Sequence, residues 1–194
     1  YIEITKYTGD ATEVVIPSEI DGKAVASIGK DTFLSGSYIK NIEIPSSVTS
    51  IGEMAFYCCV SLENIKIPDS VTTISGGAFM GCSSLESIEL PDNINSIDYG
   101  TFSYCLSLKN IKIPENVTEI GENAFYNCTG LESIEISDSV ISIGETAFEK
   151  CENLKNIDFS ENLESIGEMA FAGCDKLTTA ELSSNLKTLG YGAF

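Results

Sequence analysis

The chain has no arginine, no histidine and no tryptophan. Without imidazole it lacks the usual neutral-pH base and the commonest nitrogen ligand for metals, and without guanidinium it has no bidentate clamp for carboxylate or phosphate. Positive charge is scarce as well: eleven lysines stand against 29 acidic residues, for a formal net charge of -18. A field of that sign repels phosphate backbones and anionic lipid surfaces, so nucleic acid is a poor partner class. No run approaches the roughly 20 apolar residues of a membrane-spanning helix, and no basic start followed by an apolar stretch marks a signal peptide. Direct membrane insertion is therefore not expected, and no anchor is visible in this segment. Hydrophobic residues nevertheless make up 43% of 194 positions, ample for a buried core and too many for a disordered chain. The expectation is a soluble segment trimmed from something longer.

What is abundant is repetition. Phenylalanine falls at 33, 56, 79, 102, 125, 148, 171 and 194, a step of 23 residues every time. The same frame surrounds each one: Leu62, Ile65, Ile67, Pro68, Val71, Ile74, Ala78, Phe79 and Cys82 return as Leu85, Ile88, Leu90, Pro91, Ile94, Ile97, Thr101, Phe102 and Cys105. A fixed period of this length marks a solenoid, because one unit is too small to order itself and gains a core only by stacking on its neighbours. The first unit is five residues longer, within Ile20 to Ser27, and Asp21-Gly22-Lys23 has the chemistry of a turn at the tip of that insertion.

Within the unit, I-x-I alternation puts Ile65 and Ile67 inward and Asn64 and Lys66 outward, as a half-buried strand requires. Eight such strands predict one parallel sheet, a stack roughly 38 Å long at ~4.8 Å per strand. The V-x-x-I step predicts a second short extended piece. G-x-x-A-F-x-x-C predicts a single helical or 3₁₀ turn on the outer side.

This frame resembles that of the BspA-like leucine-rich repeats of bacterial surface proteins, over residues 11 to 194. The resemblance implies a leucine-rich-repeat solenoid: a right-handed superhelix with a parallel β-sheet on the concave face and short strands and turns on the convex face. It implies residues 1–10 as a partial N-terminal cap and 11–194 as one array of about eight units, the last truncated. It further implies a secreted or cell-surface protein of attachment or protein recognition, without established catalysis. The sequence departs from the family pattern where Ser137, Ser160 and Ser183 replace proline and Ala180 replaces isoleucine, changes expected to loosen the far end. The chain stops at Phe194, three residues before the next cysteine would fall. An uncapped coil exposes its apolar row, which predicts that the protein continues or that this end packs on another chain.

Six of seven cysteines, Cys59, Cys82, Cys105, Cys128, Cys151 and Cys174, share the 23-residue step. They read as a structural ladder of small buried hydrophobes whose S–H groups reach a neighbouring carbonyl, and as free thiols. A ladder spreads sulfur along a line whereas zinc needs four ligands at one point, so no metal and no cofactor are expected. Cys58 lies outside the ladder as an incidental surface residue, since no histidine base can activate it.

Two outward columns cross the expected sheet. One, Asn41, Asn64, Ser87, Asn110, Ser133, Asn156 and Thr179, is small and polar. The next, Glu43, Lys66, Glu89, Lys112, Glu135, Asp158 and Glu181, sets unlike charges side by side over its first four junctions, a pattern that cross-strand pairing at roughly 0.2 to 1 kcal/mol explains without a ligand. Aromatic and apolar side chains gather instead on the outer turns. Leu34, Tyr57 and Met80 share one column on three successive units, Tyr104 and Tyr126 lie on turns beside the buried Phe, and Tyr99 follows the glycine-type position. These six are the candidate binding residues, against the plainer reading that they lean over the turns and shield the core.

These residues bear on three possible functions. A recognition module would hold a protein or glycan on a neighbouring or host cell through a non-periodic cluster of exposed groups. A passive spacer carrying other domains would look equally bland on every coil. A carboxylate-dependent glycan hydrolase would need two carboxyl groups at a set separation in a cleft. The acidic end around Glu135, Asp158 and Glu181 shows no compact calcium loop. The Leu34, Tyr57, Met80 strip favours the recognition module.

Overall fold

In a computed structural model that describes residues 1–194, each of the first seven units has a three-residue strand centred on the first apolar residue of its I-x-I motif. In six of the seven its central residue is buried between two exposed neighbours. These are β2 (Glu13–Val15), β5 (Asn41–Glu43), β7 (Asn64–Lys66), β9 (Ser87–Glu89), β11 (Asn110–Lys112), β13 (Ser133–Glu135) and β15 (Asn156–Asp158), one parallel seven-stranded sheet. The eighth unit adds only a bridge from Glu181 to Asp158. Ala180 lacks the bulk to anchor a strand there, so the sheet has seven strands and not eight. Register follows the period, with Asn41 beside Asn64 and Asn64 beside Ser87.

The V-x-x-I step forms a second row of short strands: β6 (Ser50–Ile51), β8 (Thr73–Ile74), β10 (Ser96–Ile97), β12 (Glu119–Ile120), β14 (Ser142–Ile143), β16 (Ser165–Ile166) and β17 (Thr188–Leu189). At its start stand β1 (Ile2–Ile4) and β4 (Lys23–Ile28), paired in parallel. The five-residue insertion is a hairpin in which β3 (Glu19–Ile20) turns back on β4. Asp21 and Gly22 both have positive φ (51° and 73°), the backbone that a two-residue turn between right-twisted strands demands.

The outer side contains no helix, contrary to the turn expected from G-x-x-A-F-x-x-C. Its amides alternate between two duties. Those of Met54, Phe56 and Cys58 donate to the carbonyls of Gly76, Ala78 and Met80 on the next coil, while those of Ala55, Tyr57 and Cys59 donate three residues back. A helix would need successive amides to bond back within their own segment, four residues back in an α-helix and three in a 3₁₀ turn. Here every second donor is committed to the neighbouring coil. Reaching across twists the backbone into the left-handed region at the first and third donors, Met54 (φ 52°) and Cys58 (φ 55°), and the same two columns recur down the stack.

Inside these walls run columns of identical side chains. The phenyl rings from Phe33 to Phe194 stack with centroids 5.0 to 5.6 Å apart and planes within 14° of parallel. Tyr7 extends the column at 5.3 Å from Phe33. One continuous cluster holds 50 buried apolar residues, as stacking of shared rows requires.

A glycine column follows the short strands and brings successive backbones together. A Cβ at Gly144 would lie 2.5 Å from the Glu122 amide nitrogen, and one at Gly167 2.4 Å from that of Glu145. Ser75 and Asp98 break this column on adjacent coils. There the second row splits, so that β8 ends one sheet and β10 begins another.

Candidate functional site

The six ladder thiols are buried and all seven cysteines are free. Each ladder thiol donates to the carbonyl of the phenylalanine one coil back, for example Cys105 to Phe79 at 3.3 Å and Cys128 to Phe102 at 3.0 Å. Loss of solvation pushes Cys59, Cys128 and Cys174 up to about 12 and holds Cys82, Cys105 and Cys151 well above the usual thiol value. Thiolate, the reactive form, is thereby suppressed in the folded protein. Cys58 is half-exposed with a left-handed backbone. No group of three or more histidine, cysteine or acidic side chains converges closely enough to hold a metal ion.

Across the first four strands of the long sheet runs an open groove of about 440 Å³, lined among others by Glu13, Asn41, Glu43, Asn64, Lys66 and Glu89. Its walls are polar because outward positions of the strands carry them. Asn41 is fixed by Glu13 at 2.8 Å, and further along the sheet Ser133 donates to Asn110 at 2.6 Å. Glu43, Lys66 and Glu89 stand in register as the sequence suggests, but they form no ion pair within 4.0 Å. The pairs form three positions earlier, just before the strands begin: Lys40–Glu63 (3.1 Å), Lys109–Glu86 (2.9 Å) and Lys155–Glu132 (2.6 Å). Lysine and glutamate at a 23-residue spacing was the signal for these. The column in the strands themselves points its charges into the groove, free for a partner. Beside it, at the loop after each strand, five exposed carboxylates follow one another on successive coils: Asp69, Asp92, Glu115, Asp138 and Glu161.

On the turn side the structure separates the six candidate binding residues. Leu34 is exposed, whereas Tyr57 and Met80 are half-buried. The Met80 side chain lies over Gly100 of the following coil, where a Cβ would come 2.6 Å from its terminal methyl. Tyr99 is exposed at the edge of the turn. Tyr104 and Tyr126 come together across two coils, rings 5.4 Å apart and edge to face. Lys150 completes this pair, a residue that composition and spacing did not single out. Its ammonium sits 5.2 Å from the Tyr126 ring centre and donates to the Tyr126 hydroxyl at 2.9 Å. That hydrogen bond holds the Lys150 pKa above the ordinary lysine value. Edge-to-face rings capped by a cation make a firm, half-wet platform of the sort that anchors protein contacts.

Stacked coils, a shared phenylalanine column and one long parallel sheet define a leucine-rich-repeat solenoid. The model of the BspA type leucine rich repeat region matches residues 6–132 and 95–194 with six copies, and the chain belongs to that family. Among solved structures it is similar to a leucine-rich repeat protein of T. pallidum, 36% identical with a TM-score of 0.85 over 90% of this chain and 82% of that one. It is also similar to a leucine-rich repeat protein from Bacteroides ovatus, 38% identical with a TM-score of 0.88 over 95% of this chain. A third is a leucine rich cell surface protein from Faecalibacterium prausnitzii, 35% identical with a TM-score of 0.84 over 91% of this chain. The chain spans about half (49%) of the length of the last two. No curated protein matches it.

Proposed function

We propose that the chain is a non-enzymatic, adhesion-type interaction module of a secreted or cell-surface protein, with a protein ligand, or else a glycan, on a host or neighbouring cell. Residues 1–10 serve in this reading as a partial cap and 11–194 as the array that presents the binding surface. One observation carries it: against a surface that repeats every 23 residues, Tyr104, Tyr126 and Lys150 form a cluster that no other coil reproduces. A fold needs periodicity and a partner needs an address, and aromatic anchors are the common currency of such addresses. The unpaired charges of the long-sheet groove supply a polar rim along the opposite wall. The relative from Faecalibacterium prausnitzii, described as a cell surface protein, agrees with the location.

The test is a binding screen of the purified module against host-matrix proteins and glycans, followed by titration of variants. Replacing Tyr104 and Tyr126 by serine should weaken binding about tenfold or more, with stability within about 0.5 kcal/mol of the parent. A parallel Tyr57→Ser, Met80→Ser pair reports on the neighbouring strip. Equal binding by parent and both variants removes the turn side as the site. Absence of any ligand supports a passive spacer instead, and turnover of a glycan would return the carboxylate enzyme to consideration.

A further inference from the structure

The coil that carries Phe102, the fourth, is joined to its neighbours less completely than any between the second and the seventh. Everywhere else in that range the amides flanking each short strand donate to the preceding coil: Thr72 to Thr49 and Ser75 to Ile51, Thr118 to Asn95 and Gly121 to Ile97, Ile141 to Thr118 and Gly144 to Ile120. Neither of the equivalent bonds, from Asn95 to Thr72 or from Asp98 to Ile74, is formed. A side chain in this column does not by itself open the seam, since Ser75 still donates to Ile51. Asp98 facing Ser75 is the one junction from the second coil to the seventh with a side chain on both sides, whereas Gly121, Gly144 and Gly167 let backbones approach to where a Cβ would find 2.4 to 2.9 Å of room.

The fourth coil satisfies this corner internally. Ser96 donates its hydroxyl to the Asp98 carboxylate at 2.7 Å, and Thr101, buried where other coils carry alanine, donates to the Asp98 carbonyl at 2.8 Å. On its other flank the long sheet thins: β9 and β11 register at Ser87–Asn110 alone, where most neighbouring pairs register at three positions. Here Leu90 is half-exposed between the buried Ile67 and Ile113 of the adjoining coils, and a crevice of about 290 Å³ separates Glu89 and Leu90 from Lys112 and Pro114. The Phe79 and Phe102 rings are 5.6 Å apart, the widest step of the phenyl column.

We infer that the fourth coil is an articulation: two half-open seams, one on the short-strand row before it and one on the long sheet after it, let the blocks on either side tilt while the turn-side ladder stays closed. The turn-side bonds from Gly77 to Tyr99 and from Gly100 to Glu122, at 2.8 and 2.9 Å, act as the strap. Such motion changes the curvature of the long-sheet groove without breaking the core. The inference is independent of any ligand, so it stands or falls apart from the proposed function.

Native-state hydrogen exchange and spin-label distances test it, with Ser75→Gly plus Asp98→Gly as the variant that restores the glycine column. In the parent, the Asn95 and Asp98 amides should exchange at least about tenfold faster than Thr118, Gly121, Ile141 and Gly144. The double variant should slow them to match. Labels at Ser46→Cys and Ser184→Cys, on a Cys58→Ser background that leaves one reactive pair, should give a broad distance distribution that narrows in the double variant. Parent exchange at Asn95 and Asp98 as slow as at Gly121 and Gly144 would overturn the articulation. So would an unchanged distance width in a double variant whose exchange had slowed.

Discussion

The interior columns and the turn surface obey opposite rules although one 23-residue frame writes both. Inward positions carry the same phenylalanine and cysteine on almost every coil, with rings stacked and thiols bonded alike. Two residues away, the turn column next to the phenylalanines runs Leu34, Tyr57, Met80, Ser103, Tyr126, Glu149 and Ala172 without agreement. The difference teaches where each constraint acts. A buried side chain must match the row in front and the row behind, so that one solution propagates; the turn column meets looser demands, satisfied by a buried Ser103 on one coil and a half-buried Met80 on another, and its exposed members are free to serve a partner.

The sharpest way to break the comparison is pH. Six buried thiols are held protonated in the folded array, at about 12 or above the usual range, while in an unfolded chain they ionise near 8.5. Their folded values are raised, so the stabilisation is complete below the unfolded value and is lost as pH climbs towards the folded one. The expected loss is about 1.4 kcal/mol per pH unit for each thiol once the unfolded form is ionised. Denaturant midpoints between pH 8 and 11 check it, and a flat profile would mean that the ladder is solvated.

Phe125→Ala comes next, at about 3 to 5 kcal/mol, because the hole opens between two stacked rings that cannot collapse onto each other. Chemical denaturation measures it. Gly144→Ala should cost about 1 to 3 kcal/mol by forcing apart the backbones at Glu122. If alanine is accepted there at no cost, the steric account of the glycine column fails. The smallest effect has the opposite sign. Met169 holds φ 53° in a column where Gly77, Gly100 and Gly192 also stand, so Met169→Gly should stabilise by about 0.5 to 1 kcal/mol, read as a shift in thermal midpoint.

Much of the fold was legible before any coordinates. The phenylalanine step gives the register, and the I-x-I and V-x-x-I pieces give both rows of strands, because buried positions leave a periodic trace. The outer turns were not, since a left-handed backbone leaves a sequence trace only where glycine takes it; Met54, Cys58, Asn123 and Thr146 accept it without glycine. The ion pairs lie three positions before the charge column of the strands for a related reason. Period shows which residues are neighbours, as with Glu43 and Lys66, but side-chain direction decides which neighbours meet. The Tyr104–Tyr126–Lys150 cluster spans two adjacent columns, with Tyr104 and Lys150 two coils apart in one and Tyr126 between them in the other, so no single column in the sequence reveals it.

The thiol ladder has a consequence for the life of the molecule outside a reducing cell. The ladder of a folded copy offers oxidants almost no sulfur anion, so its coils are not stapled to one another. An unfolded copy under the same conditions exposes six equivalent sulfurs, any two of which can join out of register and block the way back. Oxidising surroundings would thus act as a one-way sieve, sparing copies that have wound correctly and retiring those that have come undone.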